Sequence, residues 1–131
     1  MKTSTLSLSI GLTLALAGAA QAACEVTLAE DIQPIFDMNC VACHQDYAPG
    51  ADLSLQAGSS HAQTVGVASV QAKDVQRIVP GDPEVSYLYL KLLGTHGDVG
   101  GSGDRMPFGG QLSDEDMALV ANWIGECGAA E

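Results

Sequence analysis

The chain has 131 residues and no internal repeat, so a single domain is the expectation. Apolar residues make up 47% of it, which is enough for a packed core and argues against a disordered chain. Sixteen acidic residues against five basic ones give a formal charge of -11, which excludes phosphate-backbone binding and disfavours anionic membrane surfaces. Fifteen glycines and six aromatic residues leave few large side chains for the core, a hint that something other than protein fills its middle.

Residues 1–22 read as a secretory signal. Met1 and Lys2 supply a positive start, Leu6 to Ala20 carries no charge, and Ala20-Gln21-Ala22 is a small-residue cleavage pattern. The run is short for a membrane span and is interrupted by Ser7, Ser9, Gly11 and Thr13. Lipidation at Cys24 is disfavoured by the polar Gln21. Cleavage after Ala22 leaves a domain over residues 23–131, with 16 acidic and 4 basic residues and a net charge of -12. The expected location is the periplasm, without a transmembrane anchor once the signal is removed.

Residues 31–44 read as a helix that runs into a cysteine cluster, with Ile32, Ile35 and Phe36 on one face. Asp31 is the expected cap, which puts Pro34 in the first turn. A capping box of Thr27 and Glu30 competes, and would make Pro34 kink the helix. Residues 45–58 read as loop, and Ser59 to Val67 as a weak short helix. Asp82-Pro83-Glu84 starts a further helix through Val85, Leu88, Tyr89 and Leu92, which Gly94 ends. Residues 94–111 form a glycine-rich loop. Ser113 caps a last helix with Met117, Val120, Ala121 and Ile124 on its inward stripe. No stretch alternates as a strand should, so the expected class is all-α. Two long loops in so small a domain point to a bound group that they wrap.

Cys40-Val41-Ala42-Cys43-His44 carries the chemistry. C-x-x-C-H is the signature of covalent haem attachment. Two thiols three residues apart near a helix end face one side and can add to the two vinyl groups of a haem. His44, the next residue, can then turn its imidazole to the iron. A thioredoxin-like pair would want a βαβ setting, which is absent. A zinc site would need further ligands, of which His61 and His96 are the obvious ones. A plain Cys40–Cys43 disulfide would leave His44 and the long loops unexplained.

Met106, in Asp104-Arg105-Met106-Pro107-Phe108-Gly109-Gly110, is the candidate for the other axial position. It lies 62 residues beyond His44 in a polar loop, where core packing gives no reason for a methionine. A thioether favours reduced iron and raises the potential. Met117 reads as core, and Met38 is too near His44 in sequence to reach the far face. His96, His61 and an open sixth position remain alternatives.

Cys40 to His44, Arg105-Met106-Pro107, Leu112 to Glu115 and Trp123-Ile124 together resemble class I c-type cytochromes. Val79-Pro80-Gly81-Asp82-Pro83-Glu84 with Ser86 to Tyr89, and Ile32 to Ile35, resemble the variant found in bacterial exported cytochromes. The resemblance covers nearly the whole mature chain. It implies a cytochrome c fold of three to five helices, with long loops round one covalently attached haem c. The first and last helices would cross, helped by Phe36 and Trp123. Cys40 and Cys43 would be thioether positions, His44 the proximal ligand and Met106 the distal one. A backbone carbonyl, with Pro49 as its candidate donor, would hold the His44 ring. The two ends of the mature chain would be neighbours, which suggests a Cys24–Cys127 disulfide; free thiols are the alternative.

The expected function is single-electron transfer through an exposed haem edge, with no substrate turnover. Redox proteins with a basic docking patch are the expected partners of a monomer. The alternatives are a cytochrome subunit of a larger oxidoreductase, or a haem sensor or ligand binder with open or bis-His iron.

Overall fold

A computed structural model describes residues 24–131, and the expected signal and cleavage site at 1–22 lie outside the described residues. The chain turns helical at Thr27, whose hydroxyl accepts from the Glu30 N–H at 3.2 Å. The Asp31 carboxylate answers by accepting from the Thr27 N–H at 2.7 Å. Thr27 is therefore the cap, which corrects the Asp31 expectation, and Asp31 rather than Glu30 completes the reciprocal pair. A π turn follows over Leu28–Ile32. Its wider pitch makes room for the Pro34 ring, which would otherwise press on the carbonyl four residues back. Helix α1 then spans Gln33–Asn39 and ends before the cysteines rather than at residue 44.

Helix α2 occupies Ser60–Thr64, inside the expected segment. The Asp82-Pro83-Glu84 signal starts a 3-10 turn, Pro83–Val85, with the Asp82 carboxylate accepting from the Glu84 N–H at 3.1 Å. It does not run on into the next helix. Ser86 is extended, and its hydroxyl donates to the Asp82 carbonyl at 2.7 Å and accepts from the Val79 N–H at 2.9 Å. That local side-chain bonding competes with helix continuation. Helix α3 therefore begins at Tyr87 and spans Tyr87–Leu93, closed by Gly94 at φ 83°. A short 3-10 turn, His96–Val99, interrupts the following loop. Helix α4 spans Asp114–Gly125, capped by Ser113 as expected, with its hydroxyl accepting from the Asp116 N–H at 3.1 Å.

No strand occurs among the described residues; three isolated bridges, such as Val65 with Ile78, tie the middle loops. The architecture is all-α with four helices. No helix among the described residues is long and apolar enough to cross a membrane.

The π turn and α1 pack on α4. Phe36 meets Trp123 edge to face at 6.4 Å and 79°, and both are buried. The Trp123 indole N–H donates to the Ala130 carbonyl at 2.7 Å, so its one polar atom is satisfied. Cys24 and Cys127 are joined in a disulfide, with Cα atoms 5.3 Å apart across 103 residues of chain. The two ends of the domain are thus bound to each other beside the α1–α4 contact.

Candidate functional site

The core does not close over the middle of the domain. A cavity of about 400 Å³ opens there, walled by Phe36 of α1, Leu88 and Leu92 of α3, and Leu53, Leu55 and Leu112 from loops. That size is in the roughly 300–1,000 Å³ range of cofactor sites, and the lining is largely apolar, as such sites are. The shortage of aromatic residues in the sequence is matched by this space.

One wall is built by the end of α1. The Cys40 and Val41 N–H groups both reach back to the Phe36 carbonyl, at 2.8 and 3.0 Å. The Cys43 and His44 N–H groups then turn onto the Cys40 carbonyl, at 3.1 and 3.0 Å. These tight turns bring Cys40, Cys43 and His44 together on the cavity wall. Both thiols are free. Burial pushes the Cys40 thiol up to about 11, so it is neutral at ordinary pH.

The His44 ring is fixed by backbone. Its Nδ1 lies 2.9 Å from the Gly50 carbonyl and 3.3 Å from that of Leu53. Both partners are acceptors, so Nδ1 carries the proton and Nε2 keeps its lone pair for a ligand role. The expectation named Pro49 as the carbonyl donor; the chain instead uses its neighbour Gly50, with Leu53 behind it. Gly50 is also close to the ring. A Cβ there would stand 3.1 Å from the Cys43 carbonyl and 3.4 Å from His44 Cε1.

Met106 reaches the same cavity from the glycine-rich loop, together with Pro107 and Phe108. It is half-buried, and its N–H donates to the Lys91 carbonyl of α3 at 3.0 Å. The cavity thus brings together all four residues singled out in the sequence: Cys40, Cys43, His44 and Met106.

The two rival histidines face elsewhere. His61 Nε2 meets the Ala129 carbonyl at 3.0 Å, near the C-terminus. His96 is buried, with Nε2 on the Gly103 carbonyl at 2.8 Å. Neither lines the cavity, and no three His, Cys, Asp or Glu groups converge to hold a metal ion among the described residues.

Two cavity residues escaped the sequence reading. Arg77 and Lys91 are each 6% exposed, although they are half of the basic residues among those described. The Arg77 guanidinium donates to the carbonyls of Gln63 and Asp52, both at 2.8 Å, and pairs with no carboxylate among the described residues. Burial holds Arg77 below the ordinary arginine value, partly opposed by the charge of Asp52. Burial likewise lowers Lys91, with Asp104 pulling the other way. A scarcity of bases in an acidic chain was the one sequence signal that pointed to a task for each.

The donor set fits the haem that the C-x-x-C-H signature calls for. It offers two free thiols, an imidazole with its free nitrogen defined, a thioether and an apolar chamber. A family model described as Cytochrome c matches residues 29–127, which takes in every one of these groups. No curated protein and no solved structure matches the chain.

Proposed function

The chain belongs to the cytochrome c family, and from that premise we propose that it is a periplasmic carrier of single electrons with His44 and Met106 as axial ligands. Family membership brings a covalently attached haem c and redox partner proteins, as an electron-transfer protein requires. When bound, the haem supplies a reversible one-electron couple. The single observation that carries the finer reading is the meeting of Cys40, Cys43, His44 and Met106 in one apolar cavity.

Each residue has a defined task in this reading. Cys40 and Cys43 form the thioether bonds. The Gly50 and Leu53 carbonyls hold His44 Nδ1–H and leave Nε2 to coordinate. Met106 offers a soft neutral sulfur, which favours the reduced state and raises the potential relative to a second histidine. Leu53, Leu88 and Leu92 keep water from the chamber and so limit rearrangement between redox states. With both axial positions filled by side chains, the protein turns over no substrate of its own. The export reading of residues 1–22 and the Cys24–Cys127 disulfide support a periplasmic setting.

The test is the optical spectrum of the protein matured in a host that attaches haem c. The expected result is a low-spin c-type spectrum with the weak far-red band of iron–methionine ligation when oxidised. Met106→Ala abolishes that band and lowers the potential. A low-spin spectrum without the band points to His96 or His61 instead. A high-spin spectrum points to a ligand-binding protein with open iron.

A further inference from the structure

We propose that His96 is a positioning residue for Met106: it pins the glycine-rich loop from behind and so governs how firmly the methionine stays at the iron. The inference rests on Met106 being the distal ligand.

The loop between the 3-10 turn at His96–Val99 and Met106 has no regular structure to hold it. It is held by three buried side chains that reach out of α3 and that turn. His96 Nε2 is 2.8 Å from the Gly103 carbonyl. Lys91 Nζ donates to the Ser102 carbonyl at 3.0 Å, and the Tyr87 hydroxyl to the same oxygen at 3.4 Å. Ser102 and Gly103 are exposed but their donors are buried, and buried donors without acceptors are costly, so these bonds define where the loop can lie. Two further bonds finish the attachment: Arg105 Nε to the Leu92 carbonyl at 2.8 Å, and the Met106 N–H to that of Lys91 at 3.0 Å.

His96 stands out within this set. It is 7% exposed and stacks edge-on against Tyr87 at 6.3 Å. Because Gly103 offers an acceptor, the neutral ring carries its proton on Nε2. Its Nδ1 is buried and has no partner among the described residues. A buried imidazole that spends one nitrogen on a loop carbonyl and leaves the other unpaired is a poor choice for filling space alone. The backbone is fitted to it as well. The Gly101 N–H donates to the His96 carbonyl at 2.9 Å, and a Cβ on Gly101 would stand 2.6 Å from that oxygen and from the Tyr87 ring. No larger residue fits between loop and anchor.

Ligand exchange at the iron requires Met106 to leave, and the pinned loop opposes that. Imidazole, added to the oxidised holoprotein, is the probe. His96→Phe keeps an aromatic ring against Tyr87 but removes the donor, and His96→Gln restores an N–H. The expected result for His96→Phe is imidazole binding strengthened roughly tenfold and a weakened far-red band, as loss of one buried hydrogen bond would give. His96→Gln is expected to recover most of both. Wild-type imidazole affinity and an undiminished band in His96→Phe would overturn the inference while leaving Met106 ligation intact. So would equal weakening in the Phe and Gln variants, which marks His96 as filler. A wild-type spectrum without the far-red band, turned high-spin by His96→Phe, would make His96 the ligand and overturn both readings. Should His96→Phe fail to mature, His96→Asn provides the donor-shifted comparison by the same two readouts.

Discussion

The two sides of the cavity are built by different means. On the Cys40–Leu55 side, five consecutive residues carry three of the four key groups, and backbone carbonyls from the next few residues fix His44. On the Met106 side, one residue arrives at the end of a long glycine-rich loop, held by side chains of α3 and of the His96–Val99 turn and by its own Arg105 on an α3 carbonyl. The first side is local and leans on the α1–α4 packing. The second depends on contacts between separate elements. A site of this kind should fail in two ways: the first side with the fold, the second before it.

The largest expected effect breaks the frame of the first side. Replacing both Cys24 and Cys127 by Ser opens a loop spanning 103 residues. The chain-entropy account puts the cost at about 4–5 kcal/mol, read by denaturant unfolding of the holoprotein. The spectrum of the folded fraction should stay unchanged, because neither cysteine touches the cavity. A changed far-red band in the folded protein would show that the two sides are not independent.

Next comes Gly101→Ala on the second side. The added Cβ meets a backbone oxygen and the Tyr87 ring at 2.6 Å, so the loop must shift. The expected cost is about 1–3 kcal/mol, with a weakened far-red band and faster imidazole entry. Unchanged imidazole kinetics would remove the contrast between the sides.

The smallest effect belongs to Gly50→Ala. Its Cβ would stand 3.1 Å from the Cys43 carbonyl, a contact relieved by a few tenths of an ångström. A cost below about 1 kcal/mol is expected, with the spectrum kept and the potential moved slightly as the His44 hydrogen bond adjusts. Loss of low-spin iron in this variant would mean that the first side is as easily disturbed as the second.

The same contrast explains what the sequence disclosed. Cys40, Cys43 and His44 were readable because the chemistry lies in five adjacent residues. That Met106 lines the cavity was readable because a methionine among Asp104, Arg105, Pro107 and Gly109 has no packing reason to be there. Gly94 and Ser113 announced helix ends through purely local rules. The errors came where two local preferences competed. Thr27 and Asp31 both cap well, and the π turn let the earlier one win. Ser86 looked like an ordinary helical residue until its hydroxyl bonded the Asp82 carbonyl. The roles of Arg77, Lys91 and His96 were hidden because each is set by a partner 7 to 26 residues away or by burial that no short pattern encodes.

The burial of Arg77 and Lys91 leaves the surface largely to acids. Of the four bases among the described residues, only Lys73 and Arg105 are exposed, while most of the sixteen acids face solvent. The outer shell is therefore more negative than the composition suggests. Two copies of the protein approach each other as like-charged bodies, and the repulsion extends over about 10 Å at 0.1 M salt. Electron exchange between identical molecules is then slow in dilute buffer and quickens as salt is added. Added salt would slow exchange with a cationic reagent such as a ruthenium hexaammine complex. The acidic surface thus helps keep an electron from wandering among copies of its own carrier.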